Sequence, residues 1–425
     1  MKKILSTGAL AILSINLVNA QVYTEKQTRH RFAQMTLGAD YQIGFGGETK
    51  FLNASNQIEN LAFPNTGNPR ILIGGTHFWG HADFQISIPV GGSTIESKNQ
   101  EIVALSGVET SFKYFPWRIE HNKIRPYVGT AITPFFYEQD NKNMEYTDGP
   151  AVGRTALPLM AGVTFNNKNH LVEIGATWDY RNKQDYYISR NQVAKITTPP
   201  LYAHLSYRFM FDTTIGAETD WESGRTAKVT KKLGDAGKLD GIFLGAGLSS
   251  AWWLGESSYN AANRPYIPKY NTVIMPDFTA GYYFHKSDVN VALTYRDYSR
   301  FTRVYGTAQS AKRTSFGIEA TKYVGDYHGF APFIGPVLTT ERLSFREGET
   351  GVLTQDISEG KLAYGVTFGW DIRPNRLQWF LLRTNLRWFP TLEMKVNETE
   401  AISFRNIEFN FIQFVFFPNR VWSKK

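Results

Sequence analysis

The chain has 425 residues, no cysteine, 15% aromatic residues and a formal net charge of +8, with a mean hydropathy of −0.32. The missing cysteine excludes a disulfide-stapled scaffold and a lipid-anchored N-terminal cysteine. After residue 20 no apolar run reaches the length of a membrane-spanning helix, and no nucleic-acid motif accompanies the basic excess. That excess is spread along the chain, with a cluster at Lys228, Lys231 and Lys232, and points to anionic lipid or lipopolysaccharide as its partner.

Lys2 and Lys3 precede an apolar stretch from Ile4 to Val18, and Val18-Asn19-Ala20 is a small-residue cleavage site, so residues 1–20 read as a signal peptide. The next unit, 21–216, alternates apolar and polar residues with the period of two that marks strands with unlike faces. Leu37, Ala39, Tyr41, Ile43 and Phe45 alternate with Gly38, Asp40 and Gln42; Phe84, Ile86 and Ile88 with Asp83, Gln85 and Ser87; and Val172, Ile174, Ala176 and Trp178 with Glu173, Thr177 and Asp179. Eight strands are expected here, near 32–45, 70–78, 81–90, 101–114, 125–138, 155–165, 170–181 and 200–213. A charged linker, 217–240, follows on the periplasmic side, with a helix predicted over Thr226 to Leu233 before Gly234. The last unit, 241–425, repeats the pattern, with strands expected near 240–254, 273–284, 288–298, 312–323, 330–345, 360–372, 377–389 and 402–418.

The two units are copies. Leu37-Gly38-Ala39 returns as Leu244-Gly245-Ala246, Gly107-Val108-Glu109 as Gly317-Ile318-Glu319, Pro126-Tyr127-Val128-Gly129 as Pro332-Phe333-Ile334-Gly335, and Gly162-Val163-Thr164-Phe165 as Gly365-Val366-Thr367-Phe368. A fixed spacing of roughly 205 residues marks duplication of a whole half-protein. Strands of this length with aromatic ends suit a bilayer crossing, which needs about 9–11 tilted residues. The expected fold class is therefore all-β, a transmembrane antiparallel β-barrel of about 16 strands. A single sixteen-strand ring is the leading expectation, because a chain of this size commonly closes once. Two tandem eight-stranded barrels are the alternative, favoured by the linker and by small inward residues such as Gly38, Gly175, Gly281 and Gly317. Alternate connections, such as 46–69, 299–311 and 346–359, are long and polar and are expected outside the cell. Those at Trp79-Gly80, 166–169 and Lys286-Ser287 are tight and expected in the periplasm.

Some motifs add a resemblance. His81-Ala82-Asp83-Phe84, Gly107-Val108-Glu109 with Lys113-Tyr114-Phe115-Pro116, and Arg125-Pro126-Tyr127-Val128-Gly129 resemble the outer-membrane β-barrel domain family of Gram-negative bacteria. Arg373-Pro374-Asn375-Arg376 and the aromatic last strand are similar to two-unit relatives of that family. The resemblance covers the mature chain and implies an outer-membrane location in a Gram-negative cell, but no activity. The strand Ile407 to Phe417 suits recognition by the outer-membrane assembly machinery, although Pro418 to Lys425 follow it where a terminal aromatic residue is usual.

No catalytic residue, metal site or cofactor is expected, since zinc, phosphate-loop and nucleophile-elbow signatures are absent. The one near-match, His204-Leu205-Ser206, resembles the pair of a lipid A deacylase but lacks the following Asn. Parity places a set of charged side chains inside: Asp40, Asp83, Glu109, Lys113, Glu173, Asp179 and Arg208 in the first unit, and Asp277, Arg296, Glu319, Asp371, Arg383 and Arg387 in the second. In a wide ring they would line water and set ion preference; in a narrow one they would pair. The functional expectation is a passive porin or solute channel. The alternatives are a structural, adhesive or complex-forming barrel without a conducting pore and, more remotely, a lipid-modifying enzyme.

Overall fold

A computed structural model describes residues 33–63, 65–91, 93–212, 225–270, 272–327, 329–373 and 377–422. The signal-peptide reading and the start of the linker lie outside these residues. The strands close into two separate rings. The first runs β1 (Gln34–Phe45), β2 (Thr66–His77), β3 (Ala82–Pro89), β4 (Glu109–Tyr114), β5 (Lys123–Asn141), β6 (Leu159–Asn167), β7 (His170–Trp178) and β8 (Leu201–Asp212). The second runs β9 (Gly241–Trp253), β10 (Thr272–Phe284), β11 (Val289–Val304), β12 (Thr307–Tyr323), β13 (Phe330–Glu349), β14 (Val352–Ile372), β15 (Phe380–Phe389) and β16 (Asn406–Phe416). Each strand pairs antiparallel with its sequence neighbours, and each ring shuts last strand on first: Gln34 opposite Asp212, and Leu244 opposite Phe416. The expected single ring is thus corrected to the tandem alternative. With β8 already paired to both β7 and β1, the first ring offers no free edge to the second, and an open edge in hydrocarbon would leave backbone groups unsatisfied.

The outward faces carry the apolar residues of the alternation. Leu37, Tyr41, Trp178 and Phe368 are exposed, while their neighbours Gln42 and Thr367 are buried. Helix α1 (Arg225–Asp235) lies between the rings in sequence, on the side of the short turns. Those turns are tight because they place residues in the left-handed region, with φ of 54° at Trp79, 52° at Lys168 and 53° at Asp288.

On the other side the rings differ from each other and from expectation. The predicted strand 101–114 is broken at Gly107-Val108: Gln100–Ser106 leaves the ring to pair with Ser93–Ser97 and with the upper part of β5. Likewise 155–165 divides at Pro158, which has no N–H to offer a ladder, into Asp148–Ala156 and β6. Above the first ring Glu48–Leu52, Ile58–Ala62, Lys183–Tyr187 and Val193–Thr197 form a separate four-stranded sheet. In the second ring the expected loops 299–311 and 346–359 are strand. β11 and β12 meet at Tyr305-Gly306, and β13 and β14, of 20 and 21 residues, meet at Thr350-Gly351. Their polarity misleads because these strands rise beyond the bilayer, where both faces meet water or protein. Helix α2 (Ser258–Asn263) caps an aromatic core there that includes Trp253, Tyr259, Tyr270, Tyr298 and Phe345.

After β16 the chain turns into α3 (Pro418–Trp422). Arg420 sits 3.7 Å over the Phe417 ring and donates to the carbonyls of Gln378 and Leu239, and Asn419 donates to that of Asp240.

Candidate functional sites: two lumens and a seam

In the first lumen the Glu173 carboxylate is a hub. Lys113 Nζ donates to it at 2.5 Å, Arg208 Nη2 at 2.9 Å and the Tyr127 hydroxyl at 3.0 Å, with His204 Nε2 at 2.9 Å. Arg208 also meets Asp83 at 2.7 Å. Nearer the outer end Arg70 forks onto Asp40 at 2.6 and 2.8 Å and reaches Glu109 at 3.1 Å, and Arg154 meets Asp179 at 2.6 Å. Gly175 forms the wall under this cluster: a Cβ there would fall 2.1 Å from the Tyr127 hydroxyl, so only glycine admits the ring.

The second lumen is a chain of arginine forks. Arg387 bridges Asp277 and Glu319 at 2.5 Å each, and Arg296 reaches Glu319 at 3.4 Å and Glu408 at 2.7 Å. Arg313 forks onto Glu341 at 2.7 and 2.8 Å and touches Glu408 at 2.8 Å. Arg383 forks onto Asp371 at 2.8 and 2.9 Å, and the Tyr323 hydroxyl donates to the same carboxylate.

All thirteen charged residues expected inside lie in these networks, and none is more than 7% exposed. Arg70, Arg154, Arg313, Glu341 and Glu408 are additional members. The parity of Arg313 with Ser315, Gly317 and Glu319, and of Glu341 with Thr339, would have found two of them. Glu408 is harder, because a bulge between Asn410 and Ile412 breaks the alternation of β16. His204 and Ser206 are both buried in the first lumen, but neither the Ser206 hydroxyl nor His204 Nδ1 has a hydrogen-bond partner among the described residues. The Ser–His bond of an activated nucleophile is therefore missing. No three His, Asp or Glu side chains among the described residues group to hold a metal.

The barrels touch each other along a seam. At its outer end the hairpin tip of β11 and β12 clamps the first barrel. Tyr305 N–H donates to the Asp148 carbonyl at 2.5 Å, Arg190 donates to the Tyr305 carbonyl at 2.6 Å and to Glu349 at 2.7 Å, and Arg303 meets Asp148 at 3.1 Å. At the same rim, burial first and then the charges of Glu101, Asp148 and Glu138 lift the Asp140 carboxyl above its usual range. Beside the clamp lies a cleft of about 830 Å³, walled by Arg154, Arg181 and Tyr187 on one side and Trp253, Lys269 and Tyr270 on the other. Within the membrane, Ile86 and Val108 of the first barrel pack with Trp252, Phe409 and Phe411 of the second.

Closed antiparallel rings with apolar outer faces and polar interiors define an outer-membrane β-barrel protein, here with two barrels in one chain. No helix among the described residues is long and apolar enough to cross a membrane. No family model matches the chain, and no curated protein matches it. Among solved structures it is similar to Neisserial surface protein A, at 18% identity over 42% of this chain and 96% of that one, with a TM-score of 0.30. It is similar also to Ail, the attachment invasion locus protein of Yersinia pestis, at 12% identity over 42% and 96%, with a TM-score of 0.26. An outer membrane channel from Pseudomonas putida F1 aligns over 91% of this chain and 96% of that one, at 8% identity and a TM-score of 0.22.

Proposed function

We propose that this protein is a structural, complex-forming outer-membrane barrel pair without a conducting pore, whose working surface is its outer face. The observation that carries this reading is the ionic filling of both lumens by side chains that water scarcely reaches. An eight-stranded ring is just wide enough for side chains to fill it, and a salt-bridge network in such a ring resists removal because each withdrawn charge strands its partner. The passive-channel expectation drew on a sixteen-strand ring and loses that support when the strands divide into two. The enzyme reading is weakened in the same way, since the His204 and Ser206 side chains face a packed interior instead of lipid. The cleft beside the clamp, with its cationic and aromatic walls, offers the outer face a surface for a partner, and outer-membrane lipopolysaccharide remains the expected lipid contact. Planar-bilayer recording of the purified full chain tests the reading: no steady conductance is expected, and reproducible nanosiemens steps would overturn it.

A further inference from the structure

The two barrels do not fit flush within the membrane. Between their facing walls lies a groove of about 360 Å³, lined by outward residues that include Ile73, Phe84 and Phe112 of the first barrel and Phe368, Leu382 and Leu386 of the second. Two convex cylinders can touch only along limited lines, and here they touch at two levels. Above, Trp252 stacks on Phe409 at 5.7 Å beside Ile86 and Val108. Below, His77 packs between Phe84 at 5.3 Å, Phe330 at 5.3 Å and Trp370 at 6.5 Å. Gly75, which faces outward two residues before His77, puts no side chain into the space between, and the Thr384 hydroxyl on the opposite wall is already spent on the Phe411 carbonyl at 3.0 Å.

The depth of the groove selects its occupant. His77 pairs with Ala82 beside the short turn, and Ile86, at the upper contact, lies four residues further along β3, about 13 Å at the usual strand rise. At the usual strand tilt that is about 10 Å of depth, which lies within the periplasmic half of a hydrocarbon core of about 30 Å. Apolar walls left empty there would forfeit their dispersion contacts, and no water is present to fill the space. At the lower rim His77 is 4% exposed and its Nδ1 has no hydrogen-bond partner among the described residues, at the depth where the hydrocarbon core ends and a lipid's ester and phosphate groups begin.

We propose that the seam holds one phospholipid of the periplasmic leaflet, with an acyl chain in the groove between the barrels and His77 as the polar contact at its headgroup end. Such a chain is enclosed on two sides, so it is held longer than lipid lying on a single barrel wall. The site goes beyond the non-conducting reading, and the two are read out separately: lipid retention is silent about conductance.

The test is native mass spectrometry of the full chain extracted in mild detergent, followed by rebinding from vesicles of phosphatidylethanolamine after delipidation. One retained phospholipid per protein is expected. Ile73→Trp, which fills the groove with apolar mass, should cut the lipid-bound fraction about tenfold, a loss of about 1.4 kcal/mol in binding, while heat-modifiable folding stays intact. Leu386→Trp fills the same space from the second barrel and serves if the first variant folds poorly. His77→Phe should leave the fold intact and weaken retention. Wild-type protein that carries no phospholipid, retention unchanged in both filled variants, or lipopolysaccharide in place of phospholipid as the lipid lost from the filled variants would each overturn the proposal.

Discussion

The two lumens solve one problem in different ways. The first gathers Lys113, Arg208, His204 and Tyr127 on a single carboxylate, Glu173, whereas the second spreads its charges so that Arg296, Arg313 and Arg387 each touch two carboxylates. A hub concentrates risk, because removing it takes the same carboxylate from several buried donors at once, leaving Lys113 only the neutral Gln85 amide and Arg208 only Asp83. A chain distributes risk, because most members keep a second contact. Duplicated units thus conserved an ionic interior while its wiring diverged.

The largest expected effect breaks the hub. Glu173→Gln should destabilise the protein by about 3–5 kcal/mol, since it leaves Lys113 a buried cation without its carboxylate and Arg208 with one contact fewer; urea titration followed by heat-modifiability reads this. Next comes a lipid-facing control outside both networks: Leu293→Arg, at an exposed mid-strand position, should cost about 2–4 kcal/mol. The chain-type network should tolerate its equivalent loss better. Glu341→Gln should cost about 1.5–3 kcal/mol, because Arg313 keeps Glu408; a cost equal to that of Glu173→Gln would dissolve the distinction between hub and chain. Arg190→Ala at the clamp should cost about 1 kcal/mol or less and leave both rings folded, with faster proteolysis of the outer rim as the readout. The smallest effect concerns Asp140. A carboxyl raised in the folded state gains stability as pH falls through its folded value and loses it as pH rises, so mild acid should slow proteolysis of this rim. Asp140→Asn should abolish that pH dependence.

Much of the fold was legible because strand parity is local: each alternating run showed which side chains share a face, and the thirteen inward charges followed from parity alone. Closure was not legible. Whether Asp212 pairs with Gln34 or with a strand of the other unit is a long-range choice that no period records, although Gly175 beneath Tyr127 and Gly281 against Phe243 hinted at narrow interiors. The outer ends misled for a different reason: the polar stretches 299–311 and 346–359 look like loops when polarity is taken for irregularity, yet they are strands paired above the bilayer. The seam was invisible, since Phe84 and Trp370 carry the same apolar signature whether they face lipid or another barrel.

The tail after β16 constrains register. β16 closes the second ring between β9 and β15, and a two-residue slip would keep every side chain on its proper face, so alternation alone cannot forbid it. Arg420 and Asn419 can. They fasten the end of β16 to the carbonyls of Leu239 and Asp240, just before β9, and of Gln378, just before β15. A slipped strand would carry these donors away from all three acceptors, so the short helix beyond the membrane fixes the alignment of the ring's final joint.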